Sequence, residues 1–189
     1  MKNYISKIIT LFIFITFAGV ISSSINAQVT GYQWTELTYH YQTGTVSPIY
    51  FYSYDLTLNT TGDISLVYSP GYITQQTETW SYKLKTGQQN IDTLNSMLAS
   101  SCIFDSTIEA LPPERTPIGG SLQNMVIVLK QDELLDQAPK RITVPYFPKC
   151  EVIKETLKTI YEYIKSLVPE NTWNEINAKK EEYIKSQEK

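Results

Sequence analysis

From Trp34 to Lys85 the apolar residues return at every second position, in four runs separated by turn residues; after Gly87 they return every third or fourth position. This change of period predicts a sheet made early in the chain, with helices added to it later. Leu37, Tyr39 and Tyr41 alternate with Glu36, Thr38 and His40, which predicts a strand over 34–41. Tyr50, Tyr52, Tyr54, Leu56 and Leu58 share one face of a second strand over 49–58. Ile64, Leu66 and Tyr68 mark a third over 64–68, and Trp80, Tyr82 and Leu84 a fourth over 77–85. Gly44 to Pro48, Asn59 to Asp63 and Pro70-Gly71 supply the reversals. Connections this short predict antiparallel neighbours.

The helical period begins after Thr86, which with Gln89 matches a capping box. Ile91, Leu94 and Leu98 then lie on one stripe of a helix over 88–100. Residues 122–129 are apolar on both parities, which predicts a strand buried on two faces and hence interior in the sheet. A strand over 141–146 follows, and its Pro145 assigns it to an edge or a strand end. The stripe of Ile153, Leu157, Ile160, Ile164 and Leu167 predicts a helix over 151–168, ended by Pro169. Thr172 to Glu175 is a second capping-box match. The order ββββαββα predicts an α+β fold: an antiparallel sheet of about six strands with two or three helices packed on one face. The expected organisation is one domain over 28–170 and a charged C-terminal helix or tail over 171–189.

The first 27 residues have a different character. A basic start with Lys2 and Lys7 leads into an apolar run from Ile8 to Val20, and Ser22 to Ala27 is a small, polar exit. This is the layout of a secretory signal peptide, with cleavage expected after Ala27 and an extracytoplasmic destination: periplasm, cell surface or medium. After cleavage no membrane insertion is expected, because no later apolar run approaches the ~20 residues of a span. The chain carries a formal charge of −3, and loss of the two leader lysines leaves the remainder more acidic. That balance argues against a nucleic-acid partner, which calls for a basic footprint.

An oxidising compartment makes Cys102 and Cys150 a predicted disulfide, one cysteine just past a helix and the other just before the next. Such a bridge would contribute about 4 kcal/mol on a chain-entropy view.

Catalytic signatures are sparse. His40 is the single histidine, so multi-histidine metal sites are ruled out. No phosphate loop or nucleophile elbow occurs. No catalytic residue, metal ligand or cofactor is assigned. Glu36, His40 and Asp55 share the outer parity of the first two strands and form the one acid–base candidate. On that same parity Trp34, Ile49 and Phe51 are apolar, as the anchors of a recognition surface would be. Of fourteen tyrosines, Tyr32, Tyr39, Tyr41, Tyr50, Tyr52 and Tyr54 crowd the first two strands and suit either a core or such a surface. A second candidate is the loop over 109–121, stiffened by Pro112, Pro113 and Pro117, which lowers the ordering cost of binding. The expected function is a secreted or periplasmic non-enzymatic binding module for a protein, peptide or glycan. The alternatives are a secreted hydrolase using carboxylates, and a protease-inhibitor-like protein acting through the 109–121 loop.

Overall fold

The computed structural model describes residues 33–72, 78–104, 107–130 and 139–188; the leader over 1–27 lies outside the described residues. Six strands form one antiparallel sheet: β1 (Trp34–Gln42), β2 (Tyr52–Asn59), β3 (Asp63–Pro70), β4 (Trp80–Lys85), β5 (Leu122–Leu129) and β6 (Arg141–Val144). Their spatial order is β4-β3-β2-β1-β5-β6. Three helices complete the fold: α1 (Gln88–Ser100), α2 (Glu151–Ser166) and α3 (Glu170–Gln187). The expected α+β class, strand number and element order are those observed. The first four strands form a meander; β5 then joins the free edge of β1 and hairpins into β6.

Register follows the period-two pattern. Leu37 faces Leu58 on one side and Ile127 on the other, and Leu56 sits between Tyr39 and Leu66. A slip of one residue would turn every one of these side chains to solvent, so the buried face specifies the pairing. The helices cover that face. Tyr161 of α2 meets the Tyr39 ring at 4.9 Å, and Trp173 of α3 meets Tyr54 at 5.3 Å. Ile160, Ile164 and Ile176 are buried among them. Each such aliphatic side chain contributes about 1.5–3 kcal/mol by leaving water.

Four local expectations are corrected. First, β2 begins at Tyr52, not at residue 49, because Pro48–Tyr50 forms a 3₁₀ turn closed by Tyr50 N–H to the Ser47 carbonyl at 2.9 Å. Second, β5 is interior but alternates: Met125, Ile127 and Leu129 are buried, while Val126 and Val128 stay half-exposed because none of the described helices covers the outer face there. Third, neither capping box forms. Gly87 is the N-cap of α1, and Thr86 Oγ1 instead accepts from Asn90 Nδ2 at 2.6 Å. Pro169 caps α3, which starts early enough to bury Thr172 inside its first turn. Fourth, Cys102 and Cys150 are both unbonded and exposed. Cys102 adopts φ 57° just past the end of α1, a reversal that turns it outward and sends Ile103 into the core. Cys150 is the outward N-cap of α2. Helix ends near one another in sequence logic therefore do not bring the thiols together.

Candidate functional site

A concavity that brings two of the sequence candidates together lies at one end of the sheet face opposite the helices. There β1 leaves the sheet through Thr43, Gly44 and Thr45. Thr43 ties this turn to β2: its N–H donates to the Tyr52 carbonyl at 3.0 Å, and its Oγ1 accepts from Tyr52 N–H at 3.1 Å. Gly44 packs backbone to backbone against Gly120, where a Cβ would lie 2.0 Å from the Gly120 carbonyl oxygen. Gly119 and Gly120 adopt φ +89° and +82°, the left-handed region that favours glycine. The tip of the proline-rich loop is thereby laid against the end of β1.

The loop's base is held as firmly. Leu111 N–H donates to the Phe147 carbonyl at 2.7 Å, and Lys149 N–H to the Glu109 carbonyl at 2.9 Å. An ion pair of 2.9 Å joins the same two residues through their side chains. That contact holds the Glu109 carboxyl below its usual range and the Lys149 ammonium above its own.

Between these segments lies a groove of about 330 Å³, with Gln42, Thr43, Phe51, Pro117, Leu122 and Phe147 among its walls. The Phe51 ring stacks on Tyr72 at 4.2 Å, making one aromatic wall. None of the lining residues among the described residues is charged. The described residues include six large apolar side chains exposed to solvent: Val46, Tyr50, Tyr72, Ile118, Tyr146 and Val152. All except Val152 either line this groove or adjoin a lining residue in sequence. Ile118, at 104% exposure, stands fully clear at the loop tip.

Two candidates that the sequence kept apart, Phe51 on the strand side and Pro117 in the loop, thus face one cavity. Pro112 and Pro113 stand further back, at the 3₁₀ turn Pro113–Arg115. Ile49 is half-buried in the other 3₁₀ turn. Trp34 is not an outer anchor at all. β1 pairs Trp34 with Leu129 and Glu36 with Val128, so a bulge inserts one extra residue between them. The bulge reverses parity and carries the indole inside, where it is 5% exposed and its Nε1 donates to Asn95 Oδ1 at 2.7 Å.

The acid–base trio resolves to a pair. His40 Nδ1 donates to Asp55 Oδ1 at 2.6 Å, because the two are direct cross-strand partners. That bond raises the His40 pKa, against the opposing effect of partial burial. The other ring nitrogen faces Gln42 Oε1 at 3.5 Å. Glu36 is four residues along the same strand, about 13 Å away, and takes no part. Among the described residues no three His, Cys, Asp or Glu side chains gather as a metal site would require.

Tyr72, Phe147, Gly44 and the Gly119-Gly120 pair were not singled out as site residues from sequence. The paired glycines and the Pro145-Tyr146-Phe147-Pro148 run were the available signals.

No family model matches the chain, and no curated protein matches it. Among solved structures it is similar to the PH1012 protein from Pyrococcus horikoshii OT3, at 11% identity over 75% of this chain and 80% of that one, with a TM-score of 0.16. A likeness of that size carries no argument about function.

Proposed function

We propose that this protein is an exported, non-enzymatic recognition module that seats an uncharged, apolar segment of a partner polypeptide in the groove between Phe51 and Pro117. The observation that carries this reading is a cavity with no charged lining among the described residues, walled by the stacked Phe51 and exposed Tyr72, with exposed Val46, Ile118 and Tyr146 next in sequence to its lining. Monomeric surfaces rarely concentrate such groups without a contact to make. A charged segment would lose hydration in a lining that offers no counter-charge. Aliphatic groups such as Val46 and Ile118 gain most by covering other apolar groups, at about 25 cal/mol per Å². The Cβ positions of Gly119 and Gly120 have no neighbour within 4 Å, so nothing crowds the approach of a partner segment to that side of the loop tip. Export rests on the leader over 1–27.

A peptide-display selection against the purified protein tests this. Enrichment of uncharged, apolar peptides, lost in both Ile118→Asp and Phe51→Ala, is the expected result. Selection of charged peptides, or equal capture by both variants, would refute it; binding on a glycan array alone would replace the partner class. Intact mass of native material is expected to begin at Gln28.

The 2.6 Å His40–Asp55 pair favours a hydrolase as a second reading. In that case His40→Ala would abolish turnover of an ester or peptide substrate panel; absence of turnover in the unaltered protein removes the reading.

A further inference from the structure

The opposite face of the sheet, beneath α3, carries a second and chemically different concavity. Tyr41, Tyr54, Tyr68 and Trp80 are direct partners across four consecutive strands, so their rings form one row over β1 to β4. Tyr41 and Tyr54 stack at 5.0 Å, and Tyr68 lies parallel to Trp80 at 5.3 Å. Tyr52 extends the row toward the sheet end, 5.7 Å from Tyr41 and 5.4 Å from Tyr68. Rings stacked along the row turn their C–H edges toward α3, and α3 passes above them without filling the space. The remaining cleft, of about 200 Å³, is bounded by the four tyrosines, Trp173, Asn177 and two lysines, Lys165 and Lys180.

Its polar groups are biased toward donors. No carboxylate lines it among the described residues. Lys180 has no carboxylate at ion-pair distance among those residues, and its Nζ lies 4.8 Å above the Tyr52 ring. Lys165 has Glu162 at 3.2 Å, outside the lining. Burial pushes the Tyr52 phenol up to about 12, and those of Tyr54 and Tyr68 higher still, so these hydroxyls stay neutral; those of Tyr52 and Tyr54 are turned to Tyr41 and Tyr39. Ammonium groups and an amide above a floor of aromatic C–H edges match an anion that has a flat or C–H-rich body. Drug-sized ligands occupy sites of about 300–1,000 Å³, so this volume admits little more than a single ring.

We propose that the cleft between α3 and the tyrosine row binds a small organic carboxylate with a single-ring body, the carboxylate meeting Lys180 and Lys165 and the ring lying on the tyrosines. The inference does not depend on the groove of the other face.

The test is calorimetric titration of the purified protein with benzoate and with galacturonate, each beside its neutral counterpart, benzamide and galactose. The two acids separate an aromatic from a sugar source of the same chemistry. At least one acid is expected to bind near a millimolar dissociation constant, the range for so few atoms. Its neutral counterpart is expected to bind at least about tenfold more weakly, as loss of a charge-assisted contact implies. Lys180→Gln is expected to weaken the acid about tenfold with the thermal midpoint unchanged. Lys179→Gln, whose ammonium is paired with Glu175 at 2.9 Å outside the cleft, is expected to leave binding intact. Binding of neither acid, equal binding of a neutral counterpart, or equal loss in the two lysine variants would overturn the proposal.

Discussion

Trp34→Ala distinguishes the bulged β1 of the structure from a strand that alternates without interruption. With strict alternation Trp34 would share the outer face with Glu36 and His40, and its removal would change stability by no more than about 0.5 kcal/mol. In the structure the indole is buried at 5% exposure and donates to Asn95 across 2.7 Å. Truncating a buried aromatic to alanine costs about 3–5 kcal/mol. The hydrogen bond accounts for about 1 kcal/mol of that, since half-buried Asn95 can turn to water. We therefore expect a loss near 4 kcal/mol, a large share of the 5–15 kcal/mol typical of a domain. Trp34→Phe keeps a ring in the space and gives up the hydrogen bond, so its loss should be about 1–2 kcal/mol. Urea unfolding followed by far-ultraviolet circular dichroism measures both, and an unchanged slope keeps the comparison valid. A loss below about 1 kcal/mol for Trp34→Ala would refute the bulge and return the indole to the solvent face.

The His40–Asp55 pair predicts a pH dependence of definite sign. Its folded pKa is raised, so its stabilisation is complete below the unfolded value of about 6.5 and disappears as pH rises through the folded value. The stability difference between the unaltered protein and Asp55→Asn should then be greater at pH 5.5 than at pH 8, by under about 1 kcal/mol because the carboxylate is 52% exposed. With one histidine in the chain, the imidazole proton resonance gives the midpoint directly; a midpoint at or below about 6.5 would contradict the geometry. Both cysteines should react with a thiol reagent in native, unreduced protein, and Cys102→Gly should raise stability by about 1 kcal/mol by relieving φ 57°; a thiol-free native protein would restore the disulfide. The Tyr161 hydroxyl is buried without a hydrogen-bond partner among the described residues, so Tyr161→Phe should stabilise by about 1 kcal/mol, and a loss of stability would reveal a partner.

Where one physical signal acts alone, the sequence could be read closely. α1 is expected and observed over Gln88–Ser100, because the apolar stripe of Ile91, Leu94 and Leu98 has no competitor there. The His40–Asp55 contact could be anticipated as a shared face, since two adjacent strands with short turns bring equal parities together. Failures came where two local rules compete. Thr86 could cap a helix, yet Asn90 takes its hydroxyl. Ile49 and Tyr50 continue the alternation of a strand, yet Pro48 extends its tight turn over them. Parity counted back along β1 misassigned Trp34, because an inserted residue leaves no mark on composition.

The amino-acid order by itself determined the element types and order and the buried side of the regularly alternating stretches, because hydrophobic period is a property of neighbours along the chain. It also determined the tyrosine row in outline, since strands joined by short turns must place equal parities beside one another. Only the tertiary structure decided that β5 pairs with the outer edge of β1, that the two thiols face apart, and that Phe51 and Pro117 close on one groove. These depend on contacts between segments tens of residues apart, such as the Gly44–Gly120 approach. Their energies come from packing and backbone shape in three dimensions, which no local pattern of residues encodes.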